Sequence, residues 1–180
     1  MVVITESQLF NIVNNCDNLP ADGETQEAVV NHINEMTEDR NEAAMFVAHM
    51  IYESTGFRVM RDYNRGAGQP CGKIYYSRGY LPLMWENNYR AASQALFNDN
   101  RLFDNPDLAA ESPEMCMRVS VWVWKERVRP QAAPFDNFYA TTKAINGDEE
   151  TSSSHPAAKE RYRFYETAAR YLEVTPIPEG

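Results

Sequence analysis

One stretch constrains this chain more than any other: Asn41–Asn64, NEAAMFVAHMIYESTGFRVMRDYN. Ala43, Phe46, Val47, Met50 and Ile51 recur at three- and four-residue spacing, which predicts an amphipathic helix with one apolar face. Asp39, with Glu42 three residues on, supplies a capping-box start. Gly56 supplies the stop, because glycine just past a last turn takes the left-handed conformation cheaply. Glu53 then lies at the helix C-terminus. The negative end of the helix dipole disfavours an ionised carboxylate there, and partial burial would act in the same direction. A proton retained near neutral pH is what a general acid requires. Asp62 follows nine residues later, across the glycine turn. A proton-holding carboxyl facing a second, solvated carboxylate is the smallest set of groups that can hydrolyse a glycosidic bond.

The surrounding pattern is mostly helical. Thr5 and Gln8 form a capping-box signal for a helix over about residues 6–16. A turn from Leu19-Pro20 to Asp22-Gly23 precedes a second helix, Thr25–Met36. After the organising stretch, RGAGQPCGK (Arg65–Lys73) reads as a loop and Ile74-Tyr75-Tyr76 as a short β-prone segment. Glu86–Phe97 reads as a helix, and Asn105-Pro106 opens a short one. Ser112-Pro113-Glu114 is a helix start, whereas VSVWVW after it alternates like a strand. The start signal and the helical surroundings decide for a helix over about residues 113–127. Asp136 caps a helix to about Ile145, Thr151–Ser154 is a polar linker, Pro156 opens the last helix, and a frayed tail begins at Val174. The expectation is a mostly α single domain over residues 1–174 with a few short β segments, and a tail at 175–180.

A chain of 180 residues can bury a core without metal or disulfide support. A net charge of −9 and a pI near 4.8 argue against nucleic acid or an anionic membrane as partner. They also fit a neutral polysaccharide better than an anionic polymer such as peptidoglycan. No apolar run is long enough to span a bilayer. MVVITESQLF lacks the charged and apolar regions of a signal peptide. Either the protein is intracellular or a signal has been removed from it; the expectation is a secreted protein, with a cytoplasmic one as the alternative. Cys16, Cys71 and Cys116 allow at most one internal bridge and have no metal-site spacing, and nothing calls for a cofactor. The oligomeric state is left open.

Five blocks carry a family resemblance. YYSRGYLPLMWENNY (Tyr75–Tyr89) resembles the YYGRGPIQLTWNYNY block of glycoside hydrolase family 19, the plant class I chitinases and their bacterial and phage relatives. AMFVAHMIYESTGF is similar to that family's helix ending in HETTGG or HESGGF. SVWVW resembles its A-x-W-F-W helix, and TTKAING followed by RYRFY resembles its INGG and RIGFY segments. The blocks stand in family order over about residues 40–172. The resemblance implies a bilobal, lysozyme-like, mostly helical fold with a central cleft. It also implies endo-acting hydrolysis of β-1,4-linked N-acetylglucosamine polymers with inversion, so chitin or chitooligosaccharide is the partner.

Carried over residue by residue, the resemblance makes Glu53 the general acid and Asp62 the second acid of the compact members. It makes Asn88 and Asn146 substrate-binding, Glu150 an auxiliary carboxylate, and Arg161 the arginine that pairs with these acids. Tyr52 replaces a histidine, Ser77 a glycine and Pro82 a substrate-binding glutamine, while Asp148 interrupts the glycine pair. Met84 replaces the serine or threonine that holds the attacking water, and a thioether cannot take over that task. Two alternatives follow: an inactive protein that binds chitin or another ligand in the cleft, and a muramidase acting on bacterial wall. Trp85 is a candidate sugar platform, whereas Trp122 and Trp124 are expected in the core and Tyr75 and Tyr76 beneath the cleft. His49 reads first as a satisfied, partly buried histidine and second as a tuner of Glu53. Cys71 matches a family cysteine whose partner loop is absent here.

Overall fold

The computed structural model describes residues 1–147 and 154–180. Helix α1 (Glu6–Asn15) begins at Thr5, where the Thr5 hydroxyl accepts from Gln8 N and the Gln8 side chain accepts from Thr5 N. This reciprocal pair satisfies two otherwise orphan donors. Helix α2 (Gly23–Met36) is capped by Asp22, which accepts from Thr25 N at 2.8 Å.

Helix α3 (Arg40–Ser54) starts and ends as its sequence predicts, but it is not a surface helix. Every residue from Glu42 to Ile51 is buried. A helix covered on all sides belongs to the middle of a core. Asp39 caps it by accepting from Asn41 N at 2.8 Å. Glu42 is not Asp39's capping partner. It turns inward and accepts from Trp124 Nε1 (2.9 Å) and Arg129 Nε (2.8 Å). A buried carboxylate is tolerable only with such donors.

Helix α4 (Glu86–Phe97) is followed by a short α5 (Arg101–Asp104), which the sequence reading missed, and by a 3-10 turn at Pro106–Ala110. Helix α6 (Pro113–Val123) is capped by Ser112 and runs through a π-helical turn, Trp124–Val128, into α7 (Arg129–Ala132). The strand-like VSVWVW is helical because α6 lies between two cores. Met115, Val119 and Trp122 face one of them, and Cys116, Met117 and Trp124 the other. Helix α8 (Phe138–Asn146) is capped by Asn137, one residue after the expected Asp136. Helix α9 (Pro156–Tyr171) begins at Pro156 as expected.

Two further expectations are corrected. Among the described residues there is no β-strand, only isolated bridges from Arg78 to Arg61 and to Leu83. The Tyr75 carbonyl is taken by Trp85 N, and the Tyr76 carbonyl by the Tyr89 hydroxyl and Arg78. The segment therefore has no carbonyls left for a partner strand. The C-terminal tail packs rather than frays. Phe138 N donates to the Glu179 carbonyl, Tyr162 donates to the Pro178 carbonyl, and Val174 and Ile177 lie against the main core.

The main core surrounds α3 and takes residues from α1, α2, α6, α8 and α9. A smaller core joins Leu83, Tyr89, Ala92, Leu102, Ala109, Met115, Val119 and Trp122. Cys16, Cys71 and Cys116 are free thiols. Burial pushes Cys16 and Cys116 up to about 12, so both stay protonated and inert. Among the described residues no helix is long and apolar enough to cross a membrane, and no group of three or more His, Cys, Asp or Glu could hold a metal ion.

Candidate active site

A cleft of about 600 Å³ is lined by Glu53, Asn146, Met84, Trp85, Asn88 and Arg127 among others. A narrower cavity of about 350 Å³ adjoins it, lined by Glu53, Asp62, Tyr63, Gln69, Ser77 and Pro82 among others. Glu53, Ser77 and Pro82 belong to both, so the two form one trough. Glu53 and Asp62 face the same space. Met84 lines the wide part and is absent from the wall of the cavity that the two acids share.

The end of α3 delivers Glu53 to this trough. Ser54, fully buried, donates to the Met50 carbonyl and accepts from Phe57 N at 2.8 Å. Thr55, Gly56 and Phe57 then take φ of +51°, +68° and +68°, and the chain reverses sharply. A Cβ on Gly56 would stand 2.7 Å from Asn18 Cβ, so glycine is required at that point.

Asp62 is fixed by its own loop. Its backbone N–H donates to the Ser77 carbonyl at 3.0 Å, and its Oδ2 accepts from Gly66 N at 2.7 Å. Gly66 has φ of +77°, and a Cβ there would meet the Gly72 carbonyl oxygen at 2.1 Å. Gly66→Ala should therefore lower stability by more than about 1 kcal/mol and displace the Asp62 carboxylate. Thermal melts and turnover measured together check this, and a variant that matched wild type in both would contradict it.

Behind Glu53 lies Arg161, 2% exposed. Its Nη2 donates to Glu53 Oε1 at 2.5 Å and its Nη1 to His49 Nδ1 at 3.2 Å, and its guanidinium lies 4.0 Å from the centre of the Tyr52 ring. Tyr52, standing where the resemblance expects histidine, thus serves as a cation–π floor for the arginine. Because arginine can only donate, His49 Nδ1 must accept. The proton of His49 is therefore on Nε2, which meets Thr141 Oγ1 at 2.7 Å, and the Thr141 hydroxyl passes on to the Phe138 carbonyl at 2.6 Å. The ring also stacks on Phe138 at 4.7 Å. His49 is thus a fully buried residue with both nitrogens satisfied, and it reaches Glu53 only through Arg161.

Burial, reinforced by the Arg161 charge, holds His49 well below its ordinary value of 6.5. The unfolded chain takes up a proton on this ring near pH 6.5, whereas the folded chain stays neutral. Stability is therefore lost as pH falls below that point, with a limiting slope of about 1.4 kcal/mol per pH unit. His49→Gln, which keeps an acceptor for Arg161, should flatten the fall of Tm between pH 7 and pH 5. Equal slopes in the two proteins would contradict this account.

The remaining expected residues are placed as follows. Asn88 lines the cleft and accepts a hydrogen bond from Arg127. Asn146 is the last residue of α8 and lines the same cleft. Trp85, 47% exposed, lines the cleft and holds φ of +76°, a conformation rare for a bulky residue. Trp122 and Trp124 are core residues. Glu150 and Asp148 lie outside the described residues. Sequence reasoning missed Arg127, on the π turn, and Gln131, on α7 directly after it, both of which line the cleft. It also treated Ser77 as a departure only, although Ser77 belongs to the wall shared by the two cavities.

Comparison with known proteins agrees with this architecture. The sequence profile described as Chitinase class I matches residues 58–139. An endochitinase of Arabidopsis thaliana is 30% identical over 97% of this chain and 71% of its own length. A second Arabidopsis thaliana endochitinase is 33% identical over 76% of this chain and 50% of its own. The chain thus spans about half the length of several of the curated plant relatives it matches. The crystal structure of chitinase C from Streptomyces griseus HUT6037 superposes with a TM-score of 0.77, covering 97% of this chain and 78% of that one at 22% identity, and so shares the fold. This mostly helical chain with its acid-lined cleft therefore belongs to glycoside hydrolase family 19.

Proposed function

We propose that this protein cleaves β-1,4-linked N-acetylglucosamine polymers internally, with inversion at the anomeric carbon. One observation carries the reading: Glu53 and Asp62 line one cavity of about 350 Å³, and Met84 is not among the residues that line it. In this mechanism Glu53 protonates the glycosidic oxygen as the bond to the anomeric carbon breaks. Asp62 takes a proton from a water that attacks that carbon from the opposite face, which leaves two shorter chains. Arg161 holds the acid in place, Trp85 offers a stacking face, and Asn88 and Asn146 supply hydrogen bonds to sugar hydroxyl and acetamido groups. The proposed site of action is outside the cell.

Water handling falls to Ser77 in this proposal. Its hydroxyl donates to Gln69 Oε1 at 3.3 Å and keeps lone pairs for a water between the two acids. Ser77→Ala should lower kcat by about tenfold to a hundredfold with little change in KM, since positioning rather than binding is lost. A raised KM with an unchanged kcat would remove Ser77 from this role.

A second reading, a ligand-binding protein without turnover, draws support from Pro82 and Met84, which give the cleft two apolar walls. Incubation with chitohexaose separates the two. Fragments of two to four sugars support the hydrolase, whereas calorimetric binding with no fragments supports the binder.

A further inference from the structure

We infer that Gln69 is a substrate-binding residue of the trough, and that its side-chain amide selects a glycan whose sugar beside Asp62 and Ser77 carries an acetamido carbonyl. The inference deepens the hydrolase reading and rests on it for the sugar backbone. Nothing local sets Gln69 apart, since it stands in RGAGQPCGK, which reads only as a loop. The fold brings it to the cavity that Glu53 and Asp62 share.

The orientation of the amide follows from its partners. The backbone N–H of Ser77 lies 3.2 Å from one end of it, and because an N–H can only donate, that end is Oε1. The same oxygen accepts from the Ser77 hydroxyl and from the Cys71 thiol, each at 3.3 Å. A carbonyl oxygen has two lone pairs, so three donors leave nothing for a ligand. Nε2 stands at the other end, and among the described residues no acceptor is bonded to it. The two acids are engaged elsewhere: Glu53 Oε1 accepts from Arg161, and Asp62 Oδ2 from Gly66 N. Gln69 is half-buried, so one end of its amide is fixed while the other keeps two N–H donors for whatever fills the trough.

Chemistry sets what that end can recognise. The hydroxyls of Thr55, Tyr63 and Ser77 on the same cavity both donate and accept. Arg61 only donates, but it is held by Asp107 and by the Ala110 carbonyl. Pro82 offers no polar side-chain atom. Gln69 thus supplies a donor-only group that the fold has not already used. A sugar hydroxyl can satisfy either kind of partner, whereas an acetamido carbonyl only accepts and the ammonium of a deacetylated sugar only donates. The Gln69 amide pairs with the carbonyl and is left unpaired against the ammonium, which is how a covered polar group discriminates.

The test is calorimetric, in a Glu53→Gln background so that nothing is consumed, or with thio-linked oligomers on wild type if that background is poorly folded. Chitohexaose is compared with its fully deacetylated counterpart at about 0.5 M salt, where long-range attraction between ammonium groups and an acidic protein is screened. Gln69→Glu keeps an acceptor for Ser77 and Cys71 but replaces the N–H pair by an oxygen. Gln69→Met, uncharged and of similar length, takes its place if melts show that the carboxylate unfolds the loop. The change should weaken chitohexaose about tenfold, the worth of one hydrogen bond, and should not weaken the deacetylated oligomer. Equal losses for the two sugars would make Gln69 a structural residue, and an unchanged affinity for chitohexaose would show that its amide touches no substrate. Either result overturns the assignment. It fails separately from the hydrolase: cleavage of chitohexaose with no effect of position 69 on binding keeps the enzyme and removes this contact. Chitohexaose held through Gln69 but never cleaved by wild type does the reverse.

Discussion

Glu53→Gln should reduce cleavage of chitohexaose by about a hundredfold to ten-thousandfold while the protein keeps its fold and its affinity for the oligomer. The amide has the shape of the acid but no proton to give to the departing glycosidic oxygen. Its carbonyl still accepts from Arg161 Nη2, so the anchor that fixes position 53 survives. The loss of turnover should thus fall on kcat and not on KM, the pattern of an interaction made only in the transition state, while Tm falls because the buried Arg161 loses the charge that faces it. Turnover at the wild-type rate would show that the acid is elsewhere.

The second large effect is structural. Arg161→Met should cost about 3 kcal/mol, toward the low end for breaking a buried charge pair, because the freed Glu53 is 19% exposed and can turn toward water. For a chain of 180 residues this corresponds to a Tm lower by on the order of 10 °C. Methionine restores most of the volume over Tyr52 but leaves His49 Nδ1 without a donor and Glu53 without an anchor. Turnover should fall as well, even at temperatures where the variant is folded. Arg161→Lys, which keeps the charge but can reach only one of the two acceptors, should lie between. A Met variant as stable and as active as wild type would refute the anchoring role.

The ends of the helices were legible in the sequence because caps are local. Thr5 with Gln8, Asp39, Ser112 and Pro156 mark starts that the structure keeps. The interior of α3 was not legible, because Glu42 and His49 look like solvated polar residues until their partners are known. Those partners, Trp124, Arg129, Thr141 and Arg161, lie 82 to 112 residues away. The Ile74–Tyr76 segment read as β-prone by composition, but its carbonyls are consumed by Trp85, Arg78 and Tyr89. At the site, spacing and family resemblance placed Glu53 and Asp62 on one trough. Arg127 and Gln131 stayed hidden because the π turn that carries Arg127 and leads into α7 has no local signature. Ser77 reads in the sequence only as a replaced glycine, because its place in the wall shared by the two cavities depends on residues distant in the chain.

The central claim, one proton donor and one water-activating carboxylate across a shared space, is tested most directly by the anomer formed at the instant of cleavage. Proton NMR of chitohexaose during the first minutes of reaction should show the α anomer at each new reducing end, and no such signal with Glu53→Gln or Asp62→Asn. New reducing ends in the β configuration, or α product formed at full rate by either variant, would contradict the assignment of these two residues.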